Sequence, residues 1–318
     1  MSHIDVLSVT KLSPLLEPQL RAVFNLHDRL HETDPAAFAK IAPSIRAIAA
    51  SGESKVPATL IAQLPALEII SVFGVGYDGV DVAAAKARHV MVTHTPNVLN
   101  DDVADLAMGL MLAAARQLPA ADRYVKVGQW PKGPMPLARK VSGARLGIVG
   151  MGRIGQAIAQ RAFAFNMTVA YTARSAKANI PHAYYPNATA LAAESDYLVV
   201  ITPGGEGTRK LINAEVLKAL GTKGILVNVA RGSVVDETAL IDALQNGVIG
   251  GAGLDVFEAE PNVPEALRVM PHVVLAPHIG SATSQTRQAM ADLAFNNLKS
   301  HFDGQAVHTP VPECAHKG

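Results

Sequence analysis

The chain has 318 residues, with 28 basic against 27 acidic side chains, 49% apolar residues, 5% aromatic residues and one cysteine. That length exceeds a single small core and predicts about two domains, and the apolar share excludes a disordered chain. Near-balanced charge removes any electrostatic reason to expect nucleic acid or an acidic membrane as partner. A lone Cys314 closes no intrachain disulfide and builds no zinc cluster, so no metal is expected. Met1–Asp5 carries polar Ser2, His3 and Asp5 with no long apolar run behind it, which does not read as a signal peptide. The longest apolar stretch, near Leu106–Ala115, falls short of the roughly 20 residues that span a bilayer. A cytoplasmic globular protein is expected.

In chain order, Ile4–Val9, Ile45–Ala50, Ile69–Val72 and Val90–Thr93 read as short apolar strands. Pro35–Ile41 and Val82–Ala87, lying between them, have helical composition. Alternating strand and helix predicts a parallel sheet with helices on its faces. The character changes near Pro96 and Asn97. Asp101 and Asp102 open an Ala/Leu/Met-rich stretch running to Leu118, where early acidic residues suit a helix start. So apolar a helix is expected to be buried between domains or subunits. Gly128–Leu137 carries Pro131, Pro134 and Pro136 around the only tryptophan, Trp130, which excludes a regular helix and a central strand.

The alternation then resumes more strongly. Arg145–Val149, Thr168–Tyr171, Tyr197–Ile201, Gly224–Val229, Gly251–Leu254 and His272–Ala276 read as buried strands. Six in one block predict a doubly wound sheet made of two mononucleotide-binding halves. From about Ala289 the chain reads as helix, then a polar end. No solenoid-type repeat and no low-complexity tract interrupts the pattern.

Leu146–Val149 leads into Gly150–Met151–Gly152–Arg153–Ile154–Gly155, followed by helical composition over Gln156–Phe165. A G-x-G-x-x-G run alone is weak, but here a strand precedes it, a helix follows, and a second strand comes next. The first glycine permits a tight turn, the second lets backbone approach a pyrophosphate, and the third allows close helix–strand packing. Free N–H groups at the helix start complete an anion site. An NAD site places Asp or Glu about 20 residues onward, for the ribose hydroxyls. This chain has Thr172, Ala173, Arg174, Ser175 and Lys177 there. Arg174 suits bidentate binding of a 2′-phosphate, Ser175 a hydrogen bond and Lys177 a point charge, so NADP(H) is expected over NAD(H). A solvated basic loop is the alternative.

Three further segments are Asn228–Gly232, Gly253–Pro261 (Gly-Leu-Asp-Val-Phe-Glu-Ala-Glu-Pro) and Ala276–Thr283 (Ala-Pro-His-Ile-Gly-Ser-Ala-Thr). With the glycine motif and Gly74–Gly79 (Gly-Val-Gly-Tyr-Asp-Gly), they resemble the D-isomer-specific 2-hydroxyacid dehydrogenase family over nearly the whole chain. The likeness is strongest to its glyoxylate/hydroxypyruvate reductase branch, with the hydroxyphenylpyruvate and 2-ketogluconate reductases. One departure from the NAD-using members, Thr172 in place of Asp, agrees with the cofactor reading.

Reducing a 2-oxo acid requires a cation for its carboxylate, a proton donor for the developing alkoxide and a fixed hydride donor. Arg231 follows a buried strand, at the edge of the sheet where ligands bind in such folds. Its guanidinium suits the substrate carboxylate or carbonyl, or else a surface salt bridge; the resemblance favours catalysis. His278 follows a strand and titrates near neutral pH, and the resemblance singles it out as the general acid. The resemblance also implies that Glu260 accepts a hydrogen bond from the other ring nitrogen and favours imidazolium. It places Asp255, with backbone near Ala230 and Gly280, at the nicotinamide carboxamide, and extends the cofactor set to Thr202, Val229 and His278. The implied substrate set is Val75, Gly76, Arg231 and His278, with Val75 and Gly76 offering backbone N–H groups. Trp130 and Met135 reach a neighbouring subunit's active site in that branch, or else mark a surface linker.

The resulting expectation is an α/β protein. A doubly wound (Rossmann) NADP-binding domain, residues 99–289, is inserted in a smaller flavodoxin-like substrate domain of residues 1–98 and 290–318. It is expected to be a homodimer reducing a small 2-oxo acid with NADPH. Formate or phosphite dehydrogenase on the same scaffold is an alternative, although formate members carry Gln where Glu260 stands. A dinucleotide-sensing corepressor-like interaction protein is another, although this chain ends soon after its last predicted helix.

Overall fold

The computed structural model describes residues 4–315; the part of the N-terminal reading that rests on Met1–His3, and the polar end at His316–Gly318, lie outside the described residues. The chain forms two compact units. One is discontinuous, joining the residues up to Leu99 with those from Thr283 onward, and the other is Asn100–Ala282.

In the discontinuous unit β1 (Asp5–Ser8), β2 (Asn25–Asp28), β3 (Ile45–Ser51), β4 (Ile69–Phe73) and β5 (Met91–Thr93) form one parallel sheet. Its order, β2-β1-β3-β4-β5, is the flavodoxin-like one. Every residue of β4 is buried, as both-face coverage of a parallel strand demands. Edge strand β2 reads Asn-Leu-His-Asp and buries only Leu26, so no apolar run announces it. Helix Ser284–Phe302 lies against β4 in this unit, with Ser71 Oγ donating to the Ala294 carbonyl at 3.0 Å. Thr283 caps that helix by accepting the Thr286 N–H at 3.2 Å. The chain therefore returns to the discontinuous unit at Thr283, and the boundary expected after Ala289 falls inside a continuous helix.

The second unit holds β6 (Arg145–Val149), β7 (Thr168–Thr172), β8 (Ala183–Tyr184), β9 (Tyr197–Val200), β10 (Ile225–Asn228), β11 (Gly251–Leu254) and β12 (Val273–Leu275). They form a parallel sheet in the order β12-β11-β10-β9-β6-β7-β8. The order runs outward in both directions from the β6/β9 pair, which is the switch point of a doubly wound sheet. Two-residue β8 adds a seventh strand to the six expected. Strands β9, β10 and β11 are buried throughout, and Leu198, Val200, Leu226 and Leu254 join the core beneath helices Ala214–Leu220 and Glu237–Gln245.

The long apolar helix spans Asn100–Ala115 and does not continue to Leu118. Gln117 adopts a left-handed conformation (φ 52°), and a second helix, Leu118–Lys126, begins with Pro119 in its first turn. Proline lacks the N–H that would bond back to the previous turn, so the helix stops and restarts. Gly128–Leu137 contains no regular helix beyond a single 3-10 turn at Trp130–Lys132. No helix among the described residues is long and apolar enough to cross a membrane.

Candidate active site

Seven loops leave the carboxyl edge of the seven-stranded parallel sheet, and the second unit's catalytic and cofactor candidates lie at the strand ends, on these loops or in the first turn of the helix after β6. The loop after β6 carries the glycine motif. Gly150 has φ 107° and donates its N–H to the Thr172 carbonyl at 2.9 Å. A Cβ there would come within 2.7 Å of the Ile201 carbonyl oxygen, and one on Gly155 within 2.2 Å of the Gly150 carbonyl. These two glycines wedge the loop between neighbouring strand ends and the helix. Gly152 differs, because a Cβ there would meet nothing within 4 Å. It is the N-cap of helix Arg153–Ala164 and provides no side-chain cap for the first N–H groups. Open space in front of uncapped N–H groups fits a dinucleotide's pyrophosphate. Arg153 is exposed and Ile154 half-buried on the first turn.

At the end of β7, Thr172 is buried, Ala173 half-buried, and Arg174 and Ser175 exposed. Arg174 and Ser175 make no hydrogen bond among the described residues, which leaves both available to a ligand. Lys177 is engaged elsewhere than its expected role requires. Its Nζ donates to the Met151 carbonyl at 2.6 Å, and its backbone N–H donates to the Tyr171 hydroxyl at 2.8 Å. Thr202 is half-buried on the loop after β9.

The loop after β10 is braced by Asn228, 1% exposed. Its Oδ1 accepts the Ala230 N–H at 3.1 Å and its Nδ2 donates to the Arg231 carbonyl at 3.0 Å. Val229 and Ala230 are buried, while half-buried Arg231 donates from Nη1 to the Ala230 carbonyl at 2.7 Å. Next to it, a Cβ on Gly232 would lie 1.9 Å from the Phe257 carbonyl group, so this loop rests directly on the backbone of the loop after β11.

Glu260 lies on that loop. Its Oε1 accepts the Phe257 N–H at 2.8 Å, and its Oε2 lies 2.8 Å from His278 Nδ1. A carboxylate oxygen only accepts, so Nδ1 carries a proton and donates, which fixes the tautomer and orientation of the ring. His278 has φ 53°, a left-handed conformation that non-glycine residues seldom adopt. Asp255 holds that turn from three sides. Its carbonyl accepts the His278 N–H at 2.8 Å, Oδ1 accepts the Ile279 N–H at 2.7 Å, and Oδ2 accepts the Gly280 N–H at 2.8 Å. Burial raises the Asp255 carboxyl above its ordinary range, against the lowering effect of the Ile279 and Gly280 N–H groups and the His278 charge. Asp255 was expected at the nicotinamide carboxamide. Here it is 2% exposed, with both oxygens engaged by the histidine's own segment.

In the discontinuous unit, Val75 and Gly76 follow β4. Their N–H groups find no acceptor among the described residues, whereas the Val75 carbonyl is 2.9 Å from His94 Nδ1. Trp130, 66% exposed, and half-buried Met135 lie on the proline-rich segment. Sequence reasoning gave no role to Asn228 or to Gly232. Both stand inside a quoted motif, but their function lies in contacts that no spacing shows.

An uncapped helix start suits a dinucleotide, a guanidinium suits a carboxylate or carbonyl, and an imidazole of fixed tautomer suits the proton transfer that accompanies hydride transfer to a carbonyl. Fold and site thus define a nicotinamide-dependent dehydrogenase. The chain belongs to the D-isomer-specific 2-hydroxyacid dehydrogenase family, whose NAD-binding domain matches residues 108–280. It is 46% identical to glyoxylate/hydroxypyruvate reductase A of Arabidopsis thaliana, over 98% of this chain and 100% of that one. It is 48% identical to hydroxyphenylpyruvate reductase of Plectranthus scutellarioides, over 98% of this chain and 100% of that one. A crystal structure of the NADPH-dependent glyoxylate/hydroxypyruvate reductase of Sinorhizobium meliloti, in complex with NADP and malonate, superposes with a TM-score of 0.92. That match has 46% identity and covers 98% of each chain.

Proposed function

We propose that this protein uses NADPH to reduce a small 2-oxo acid to the D-2-hydroxy acid, and that it catalyses the reverse oxidation. Glyoxylate and hydroxypyruvate are the leading substrates. The observation that carries the reading is the 2.8 Å contact between Glu260 Oε2 and His278 Nδ1 on the ligand edge of a dinucleotide-binding sheet. When bound, the nicotinamide cofactor supplies the hydride. Arg231 binds the substrate carboxylate or polarises the carbonyl. His278 Nε2 gives its proton to the carbonyl oxygen as that oxygen becomes an alkoxide, and Glu260 stabilises the imidazolium beforehand. In oxidation, neutral His278 takes the hydroxyl proton. The N–H groups of Val75 and Gly76, which find no acceptor among the described residues, suit the substrate carboxylate.

NADPH is favoured because the position that would hold an acid against ribose hydroxyls is Thr172, with Arg174 and Ser175 exposed beside it. The Sinorhizobium meliloti relative is NADPH-dependent by name. A panel of 2-oxo acids with NADPH and NADH, followed by nicotinamide absorbance, tests substrate and cofactor together. No turnover of glyoxylate, hydroxypyruvate or a larger 2-oxo acid with either dinucleotide sinks the reading.

The partner is a second copy of this chain. Leu118, Val125, Val127, Trp130 and Leu137 are all exposed on one stretch of sequence, Leu137 completely. Such large apolar side chains together are what an interface between copies covers. Light scattering on the purified protein should give twice the 33.4 kDa chain mass.

A further inference from the structure

We propose that Lys177 is a positioning residue of the dinucleotide site that fixes the Met151–Gly152 peptide and serves NADPH and NADH alike. The inference rests on the dinucleotide reading of the glycine loop, but not on the preference for NADPH.

The residue is held at both ends. Its backbone N–H bonds the hydroxyl of Tyr171, which is 1% exposed and packed edge-on against Tyr184 with ring centroids 5.5 Å apart. Its Nζ meets the carbonyl of Met151, itself 1% exposed, at 2.6 Å. Lys177 is an exposed residue, yet its ammonium is committed to a short bond with a carbonyl of the glycine loop. Moving it to a 2′-phosphate would forfeit that bond.

The bond has a consequence for the anion site. Met151 C=O and Gly152 N–H belong to one planar trans peptide, so they point in opposite directions. An ammonium on the carbonyl therefore turns the Gly152 N–H away from itself and polarises it, making it a stronger donor. That N–H finds no acceptor among the described residues, and it lies at the uncapped helix start where a Cβ would meet only open space. Lys177 thus sharpens a donor of the pyrophosphate cradle from behind, whichever ribose substituent the cofactor carries. Arg174 and Ser175, which make no hydrogen bond among the described residues, are left for the 2′-position.

The test is direct binding of NADPH and NADH by nicotinamide fluorescence, with wild type, Lys177→Met, Lys177→Arg and Arg174→Ala. Loss of a charge-assisted bond that orients one donor should raise both dissociation constants about tenfold in Lys177→Met, by the same factor. Lys177→Arg, which still donates to a carbonyl, should recover most of the affinity for both. A loss confined to NADPH would show Lys177 on the 2′-phosphate and overturn the proposal, as would unchanged binding of both. An equal loss that Lys177→Arg leaves unrelieved also counts against it. Arg174→Ala separates the two readings, because an unchanged NADPH/NADH ratio there defeats the NADPH preference while leaving the Lys177 result interpretable.

Discussion

Gly232 and Phe257 are in such close backbone contact that the Cβ absent from Gly232 would sit 1.9 Å from the Phe257 carbonyl. Because Arg231 precedes Gly232, and the Phe257 N–H holds Glu260, this one contact ties the guanidinium to the carboxylate of the acid pair. Gly232→Ala cannot be absorbed by a side-chain rotation, since the obstacle is main chain. It should cost about 1–3 kcal/mol of stability, as overpacking does, and reduce kcat/KM by displacing both groups. Urea unfolding and kinetics on the same variant check this; full activity with wild-type stability would show that the loops are not coupled.

The acid pair has its own signature. His278→Ala should lose most of the roughly 10²–10⁴-fold that general acid catalysis supplies. The carboxylate of Glu260 favours imidazolium, and reduction needs that proton, so the rate of reduction should fall as pH rises while oxidation gains over the same window. Glu260→Gln removes the charge but keeps a side chain that accepts from Nδ1. The falling limb of reduction should then move to lower pH. A limb that stays in place in pH profiles of kcat/KM would break the proposed link between Glu260 and the acid.

Asp255 makes a stability prediction of definite sign. Burial raises its folded-state carboxyl value, so between the ordinary carboxylate range and that raised value the folded state binds more protons than the unfolded state. Its contribution is therefore present at lower pH and is lost as pH rises through the raised value. Asp255→Asn does not titrate, but its amide offers one acceptor oxygen to the two N–H groups of Ile279 and Gly280. The variant should be less stable in acid, by about 1–3 kcal/mol for one unsatisfied buried N–H, and the gap should narrow as pH rises. Chemical denaturation of both proteins across that range decides it, and a gap that widens with pH reverses the assignment of burial as the dominant cause.

Both sheets were legible where their strands are buried on two faces, because apolar runs such as Ile69–Val72 and Tyr197–Ile201 need no periodicity to stand out. Asn25–Asp28 was not, since an edge strand with three polar residues resembles a loop. Likewise the break at Gln117 was missed because Arg116 and Gln117 are ordinary helix formers followed by apolar Leu118, although Pro119 marks the restart. At the site, motif order singled out His278 and Glu260, which the fold brings to 2.8 Å, and the glycine spacing pointed to the open helix start at Gly152. The roles of Lys177, Asn228 and Gly232 were hidden for a physical reason. Each depends on which backbone atom lies across from it in space, and residue type does not encode that.

Helix Ser284–Phe302 belongs to the same unit as β4 but is separated from it in sequence by the whole of the other unit. During synthesis, the contiguous Asn100–Ala282 segment has all of its own strands before the N-terminal sheet can cover β4. The five-stranded sheet must therefore wait, with an apolar strand exposed, until more than half of the protein has emerged behind it. A nascent chain of this protein is most in need of chaperone protection at its beginning.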